Sequence, residues 1–169
     1  MSSRHRERTW HLETDASVRP GEWHKSGERP SVGGAGIVLW DPELRPVLLE
    51  SILLGPVSCG PEAELCAVIA GLKIAKESGV GQVRLRTDCL GVVEHLTGER
   101  RLDTGWAVPL LPELEELARS FAHFEAPWSP STHAPERRAG IPTADALARR
   151  AVGLGPRASR PIPRRLGGG

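Results

Sequence analysis

Tyrosine is absent from this 169-residue chain, phenylalanine occurs twice and methionine once. With five tryptophans the rings number seven. Trp23, Trp106 and Trp128 are candidates to stack on bases, yet with so few rings the core has first claim on most of them. Cys59, Cys66 and Cys89 are odd in number and form no CxxC pair, which excludes a disulfide framework and a zinc knuckle and leaves small core thiols. No apolar run approaches the roughly 18 residues that cross a bilayer, and Met1 to Arg8 is polar with no apolar stretch behind it. A chain of this kind is expected to stay in the cytosol and to have no membrane partner. Gly33-Gly34-Ala35-Gly36 lacks the Lys-Ser/Thr of a phosphate loop and suits close backbone packing instead. A GxSxG elbow is missing too, so a serine hydrolase is unsupported.

What remains has the make-up of one globular domain, 39% hydrophobic and 25% charged. The net charge of +1 hides an asymmetry. Residues 1–9 hold Arg4, Arg6 and Arg8 against Glu7, and residues 154–169 hold Arg157, Arg160, Arg164 and Arg165 against no acid. Taking those seven arginines and one glutamate from totals of 22 basic and 21 acidic residues leaves 15 against 20 in the middle. Residues 1–9 thus read as a basic tail, 10–153 as the folded domain and 154–169 as a second tail rich in Pro, Arg and Gly. An acidic body repels a polyanion unless some of its carboxylates hold metal.

Along the body, Trp10 to Asp15 is expected as a strand, followed by a long loop to about Gly33. Ala35 to Trp40 and Val47 to Leu54 are the next two strands, separated by the Asp41-Pro42 turn. Glu62 to Ser78 carries Leu65, Val68, Ile69, Leu72 and Ala75 at helical spacing between Gly60-Pro61 and Gly79. Val83 to Asp88 is a strand, Cys89 to Leu96 a short helix, and Trp106 to Ala122 a longer one with Pro109 and Pro112 in its first turns. His123 to Trp128 is a short strand and Pro142 to Val152 a last helix. The order βββαβααβα predicts an α/β domain with a mixed sheet.

In an antiparallel meander the third strand runs parallel to the first, and a right-handed crossover through the first helix brings the fourth parallel as well. Asp15 and Asp88 then end strands at one edge of the sheet, Glu64 lies in the first turn of the crossover helix, and Asp145 in the first turn of the last. Each has an ordinary explanation alone, as an Asx turn or a helix-dipole partner. Four converging carboxylates, however, repel one another unless a cation sits among them. All-oxygen donors suit Mg²⁺ or Mn²⁺, and such a cluster can hold two ions about 3.5–4 Å apart for phosphodiester hydrolysis. Glu13, two residues before Asp15, is a rival ligand set back inside its strand.

Thr14-Asp15-Ala16-Ser17, Ala63-Glu64-Leu65, Arg86-Thr87-Asp88 and Ala144-Asp145-Ala146-Leu147-Ala148 resemble, in order and in the right elements, the four motifs of the type 1 ribonuclease H family. The resemblance covers roughly residues 10–152. It implies a ribonuclease H-like fold, a five-stranded mixed sheet of order 3-2-1-4-5 with strand 2 antiparallel. It also implies an endonuclease that cuts the RNA strand of RNA/DNA hybrids with two Mg²⁺, for which Mn²⁺ can substitute, leaving 5′-phosphate and 3′-hydroxyl ends. Asp15, Glu64, Asp88 and Asp145 become the metal ligands, and His133 matches the mobile histidine that assists proton transfer or product release. The partner implied is the hybrid, met by a monomer without a small-molecule cofactor. Little sequence specificity is expected.

Several positions depart from the family's pattern. Ala16 and Cys89 replace the usual Gly and Ser beside their aspartates, and Gly60-Pro61 stand where Asn residues commonly meet the hybrid's minor groove. Residues 89–144 contain no lysine, so the lysine-rich handle of some members is missing. Two rival readings are a non-catalytic nucleic-acid-binding module, against which the full set of acids speaks, and a related 3′-5′ exonuclease. The exonuclease motif puts Glu where this chain has Ser17.

Overall fold

The computed structural model describes residues 9–22, 26–27, 29–128 and 141–155. The tails at 1–8 and 156–169, Trp23 and His133 lie outside the described residues.

Nine elements follow one another as β1 (Trp10–Pro20), β2 (Ser31–Trp40), β3 (Pro46–Val57), α1 (Gly60–Glu77), β4 (Gln82–Arg86), α2 (Leu90–Thr97), α3 (Leu111–Arg119), β5 (His123–Glu125) and α4 (Ala144–Ala151). The strands form one sheet of order β3-β2-β1-β4-β5. β2 is antiparallel to both neighbours, while β4 runs parallel to β1 and β5 parallel to β4. This is the ribonuclease H-like sheet expected from the sequence.

Two elements differ from expectation in a way that bears on the site. β1 does not stop at Asp15 but continues to Pro20, because β2 begins early and pairs with it from His11↔Trp40 to Pro20↔Ser31. The glycines at 33 and 34 argue locally for a loop, but their partners Val18 and Ser17 enforce the ladder from across the hairpin. Likewise α3 begins at Leu111, not Trp106. Turns cover residues 105–110, where Pro109 takes an N–H out of any helical ladder.

Helices cover both faces of the sheet, unequally. On one side α1 buries Leu65, Val68 and Leu72 against Leu12, Ile37 and Leu39, and α3 adds Leu114. Gly71 lets α1 come close, since a Cβ there would lie 2.7 Å from Thr14 Cγ2. On the other side α4 packs alone through Ala144 and Leu147 against Val38 and Trp40. Its start is fixed by Thr143, whose Oγ1 accepts a hydrogen bond from Ala146 N at 2.9 Å. Its depth is fixed by two glycines of β2. A Cβ at Gly34 would sit 2.8 Å from the Ala148 carbonyl oxygen, and one at Gly36 would collide with the Ala144 carbonyl.

Candidate active site

The β1–β4 ladder ends at Glu13↔Arg86, and β4 itself stops at Arg86. Beyond that point β1 runs on with no parallel neighbour among the described residues, so the sheet is open at the carboxyl end of β4, the place where open sheets of this kind accept ligands. Asp15 lies two residues into this opening. So although Asp15 is mid-strand and not at a strand end, it still reaches the edge that topology predicts. Asp88 follows β4 in the link to α2 and is exposed. Glu64 approaches from α1 as its fifth residue, two residues further in than expected because α1 begins at Gly60. The first-turn acid is Glu62, whose Oε2 accepts a hydrogen bond from Ser58 N.

Asp15, Glu64 and Asp88 each offer a carboxylate oxygen within 4.8 Å of the others. Asp145 occupies the first turn of α4, and its negative charge contributes to the perturbation of Asp15. It stands outside the 4.8 Å group. Glu13 is fully buried and is not part of that group either. The position of His133, outside the described residues, is not specified.

Local chemistry makes this an unstable place for bare carboxylates. Ala16 N donates to Asp15 Oδ1 at 2.9 Å and to Glu64 Oε1 at 3.2 Å, so one backbone amide serves two acids. Glu64 Oε2 is buried and meets no donor. Burial, reinforced by the charges of Asp15 and Asp88, pushes the Glu64 carboxyl up to about 9. Burial again, with Asp88 next, raises Asp15 to about 6. Without a cation the cluster therefore holds a proton at neutral pH, and a divalent ion is the natural replacement for it. Three converging oxygen donors, with no sulfur or imidazole among them, fit a hard ion such as Mg²⁺ or Mn²⁺. Cys89 caps α2 beside the acids, but burial raises its thiol, which keeps it in the protonated form that binds metal poorly.

The shared Ala16 amide left no trace in the sequence, because every non-proline residue carries one. Thr143 did leave a signal, a hydroxyl residue just before an amphipathic helix.

Residues 21–151 match the reverse transcriptase-like family. The chain belongs to that family. Its fold is that of a type 1 ribonuclease H domain, as comparison with solved structures shows. Ribonuclease H1 from the halophilic archaeon Halobacterium salinarum superposes with a TM-score of 0.68 at 25% identity, over 85% of this chain and 97% of the archaeal one. The N-terminal ribonuclease H domain of Rv2228c from Mycobacterium tuberculosis gives 0.68 at 23%, over 86% and 94%. LC11 ribonuclease H1, solved in complex with an RNA/DNA hybrid, gives 0.65 at 18%, over 85% and 96%. No curated protein matches the chain by sequence.

Proposed function

We propose that this ribonuclease H-like domain is a metal-dependent endonuclease that hydrolyses the RNA strand of RNA/DNA hybrids. The observation that carries the reading is the convergence of Asp15, Glu64 and Asp88 within 4.8 Å, with burial raising the first two, and Glu64 far enough to hold a proton at neutral pH when no cation is near. Family membership and the hybrid held by LC11 ribonuclease H1 support the choice of substrate.

In this reading Asp15, Glu64, Asp88 and Asp145 hold two Mg²⁺, with Mn²⁺ as a substitute. Such ions supply an activated water and charge stabilisation at the leaving oxygen, giving 5′-phosphate and 3′-hydroxyl ends. The protein's own part is orientation. The Ala16 N–H holds Asp15 and Glu64 in register, the glycines of β2 hold α4 and hence Asp145 at a fixed depth, and burial keeps the oxygens of Asp15 and Glu64 short of competing water, while exposed Asp88 stays open to the substrate side. His133 assists proton transfer or product release, and the arginines of both tails add phosphate contacts to an otherwise acidic body.

A gel assay decides it. A labelled hybrid, double-stranded RNA, double-stranded DNA and single strands are incubated with Mg²⁺ or with EDTA. Cleavage of the hybrid's RNA strand in Mg²⁺ alone, lost in Asp15→Asn, is the expected result. Cutting that persists in EDTA, or in the folded Asp15→Asn variant, overturns the assignment.

A further inference from the structure

β3 is the outermost strand on its side of the sheet, so one row of its backbone N–H and C=O groups has no strand partner among the described residues. Natural edges of this kind are normally guarded by charge, proline or bulges. β3 has such guards only at its ends, where Pro46 and Pro56 stand and where register shifts fall at Leu39/Trp40 and Gly33/Gly34 of the neighbouring strand. From Val47 to Leu54 the only charge is Glu50. On the face shared with α4, Val47, Leu49 and Leu53 are 51%, 43% and 60% exposed. They make up three of the six exposed large hydrophobics among the described residues.

We propose that this edge pairs antiparallel with β3 of a second copy of the chain, joining two five-stranded sheets into one. The pattern is self-complementary, as a two-fold contact requires. Leu49-Ser51-Leu53 reads the same in both directions about Ser51, so an axis there sets Leu49 opposite Leu53 of the other copy and Glu50 opposite Ile52. No carboxylate faces its own image, and apolar side chains meet across the join. Ser51 itself is turned to α4, donating to the Leu147 carbonyl at 2.7 Å, which keeps its hydroxyl out of the contact.

Charge points the same way. The groove between β3 and α4 is lined by Leu49, Leu53 and Leu147 with one acid, Glu50, and one base, Arg150. Ala151 packs over Gly34, whose partner on β3 is Leu53. Arg150 therefore sits at the Leu53 end, beside the second copy's Leu49, while Glu50 alternates to the other face of the sheet, opposite Ile52. A nucleic acid finds no net positive charge there. Residues 156–169 bring four arginines to a single carboxylate, and their prolines at 156, 161 and 163 have no N–H for a ladder. A second copy pairs the free backbone row and covers Leu49 and Leu53 without setting like charges together, and this departs from the monomer that the family resemblance implies.

Sedimentation equilibrium on the full chain tests the proposal between about 5 and about 500 μM, a range that reaches weak complexes. The apparent mass is expected to rise from 18.3 kDa toward twice that value. Leu49→Lys/Leu53→Lys, which changes two exposed side chains, is expected to weaken association by at least roughly tenfold with an unchanged circular dichroism spectrum. In parallel, amide exchange along β3 in the wild type is expected to slow as concentration rises. That second readout stands even if the double variant fails to fold. A wild type monomeric throughout overturns the proposal, as does a dimer indifferent to the lysines or β3 protection independent of concentration, which would mean an intramolecular cover.

Discussion

The two faces of the sheet are built to different specifications. Toward α1 lies a thick layer of leucine, isoleucine and valine, many of them with no exposure at all. Toward α4 lies a thin one, four buried residues with glycine beneath the helix. Glu64 rides on the thick side and Asp145 on the thin side, so one acid is held by bulk and the other by closeness of fit. Stability and placement can thus be damaged separately, and substitutions on each face should show it.

Glu64→Gln should have the largest effect, lowering hydrolysis by at least about a thousandfold, because an amide keeps the shape and loses the ligand charge. The same change removes a buried acid that must take up a proton on folding at pH 8, so the metal-free variant should melt higher than wild type at that pH. Measurable turnover within tenfold of wild type, or a lower melting temperature, breaks the picture of a strained acid centre on a rigid support.

Leu65→Ala, next along α1, should destabilise toward the upper end of the roughly 2–5 kcal/mol typical of buried leucine truncations. Leu147→Ala on α4 should fall toward the lower end, since fewer neighbours surround the lost atoms. Urea titrations of both proteins measure the gap. Equal losses would mean that the thin face is as deeply packed as the thick one.

Gly36→Ala should cost about 1–3 kcal/mol by overpacking and shift α4 outward. Its diagnostic is a weakened Mg²⁺ requirement curve, with activity partly restored at high metal. A stability loss with an unchanged metal dependence would separate α4's depth from the site.

The smallest effect on activity is expected from pH changes in the absence of metal, which act on stability. Asp15 and Glu64 have folded-state values of about 6 and about 9 against ordinary values of 3.8 and 4.5. Native protein without metal therefore binds more protons than the unfolded chain between those limits. Its stability is fully present below about pH 4 as far as these groups are concerned, and is lost as pH rises through 6 and 9. Differential scanning calorimetry with EDTA should show the melting temperature falling steadily as pH rises over this range, and saturating Mg²⁺ should flatten the trend. A melting temperature that rises with pH in EDTA would contradict the assignment of raised values.

Much of this was legible in the chain. Acids were readable because their type and their place beside strand ends and helix starts are local, and the crossover rule then gathers them without knowledge of any side-chain contact. Strand order followed from the family motifs. Illegible were features that depend on a distant partner. The Gly33-Gly34 stretch has the composition of a loop, and only pairing with Ser17 and Val18 makes it a strand. That extension is also why Asp15 stands mid-strand and owes its edge position to the early end of β4. Glu13 shows the converse, a buried carboxylate two residues away that stays outside the cluster.

Gly36 has one further consequence. No residue is smaller than glycine, so the gap between β2 and α4 already stands at its floor. Every single substitution there pushes the helix in the same direction, away from the sheet, and none can bring Asp145 nearer. A variant that needs the acid closer must therefore change α4 itself, at Ala144 or Ala148, whose backbone meets β2, and the sheet offers no adjustment in that direction.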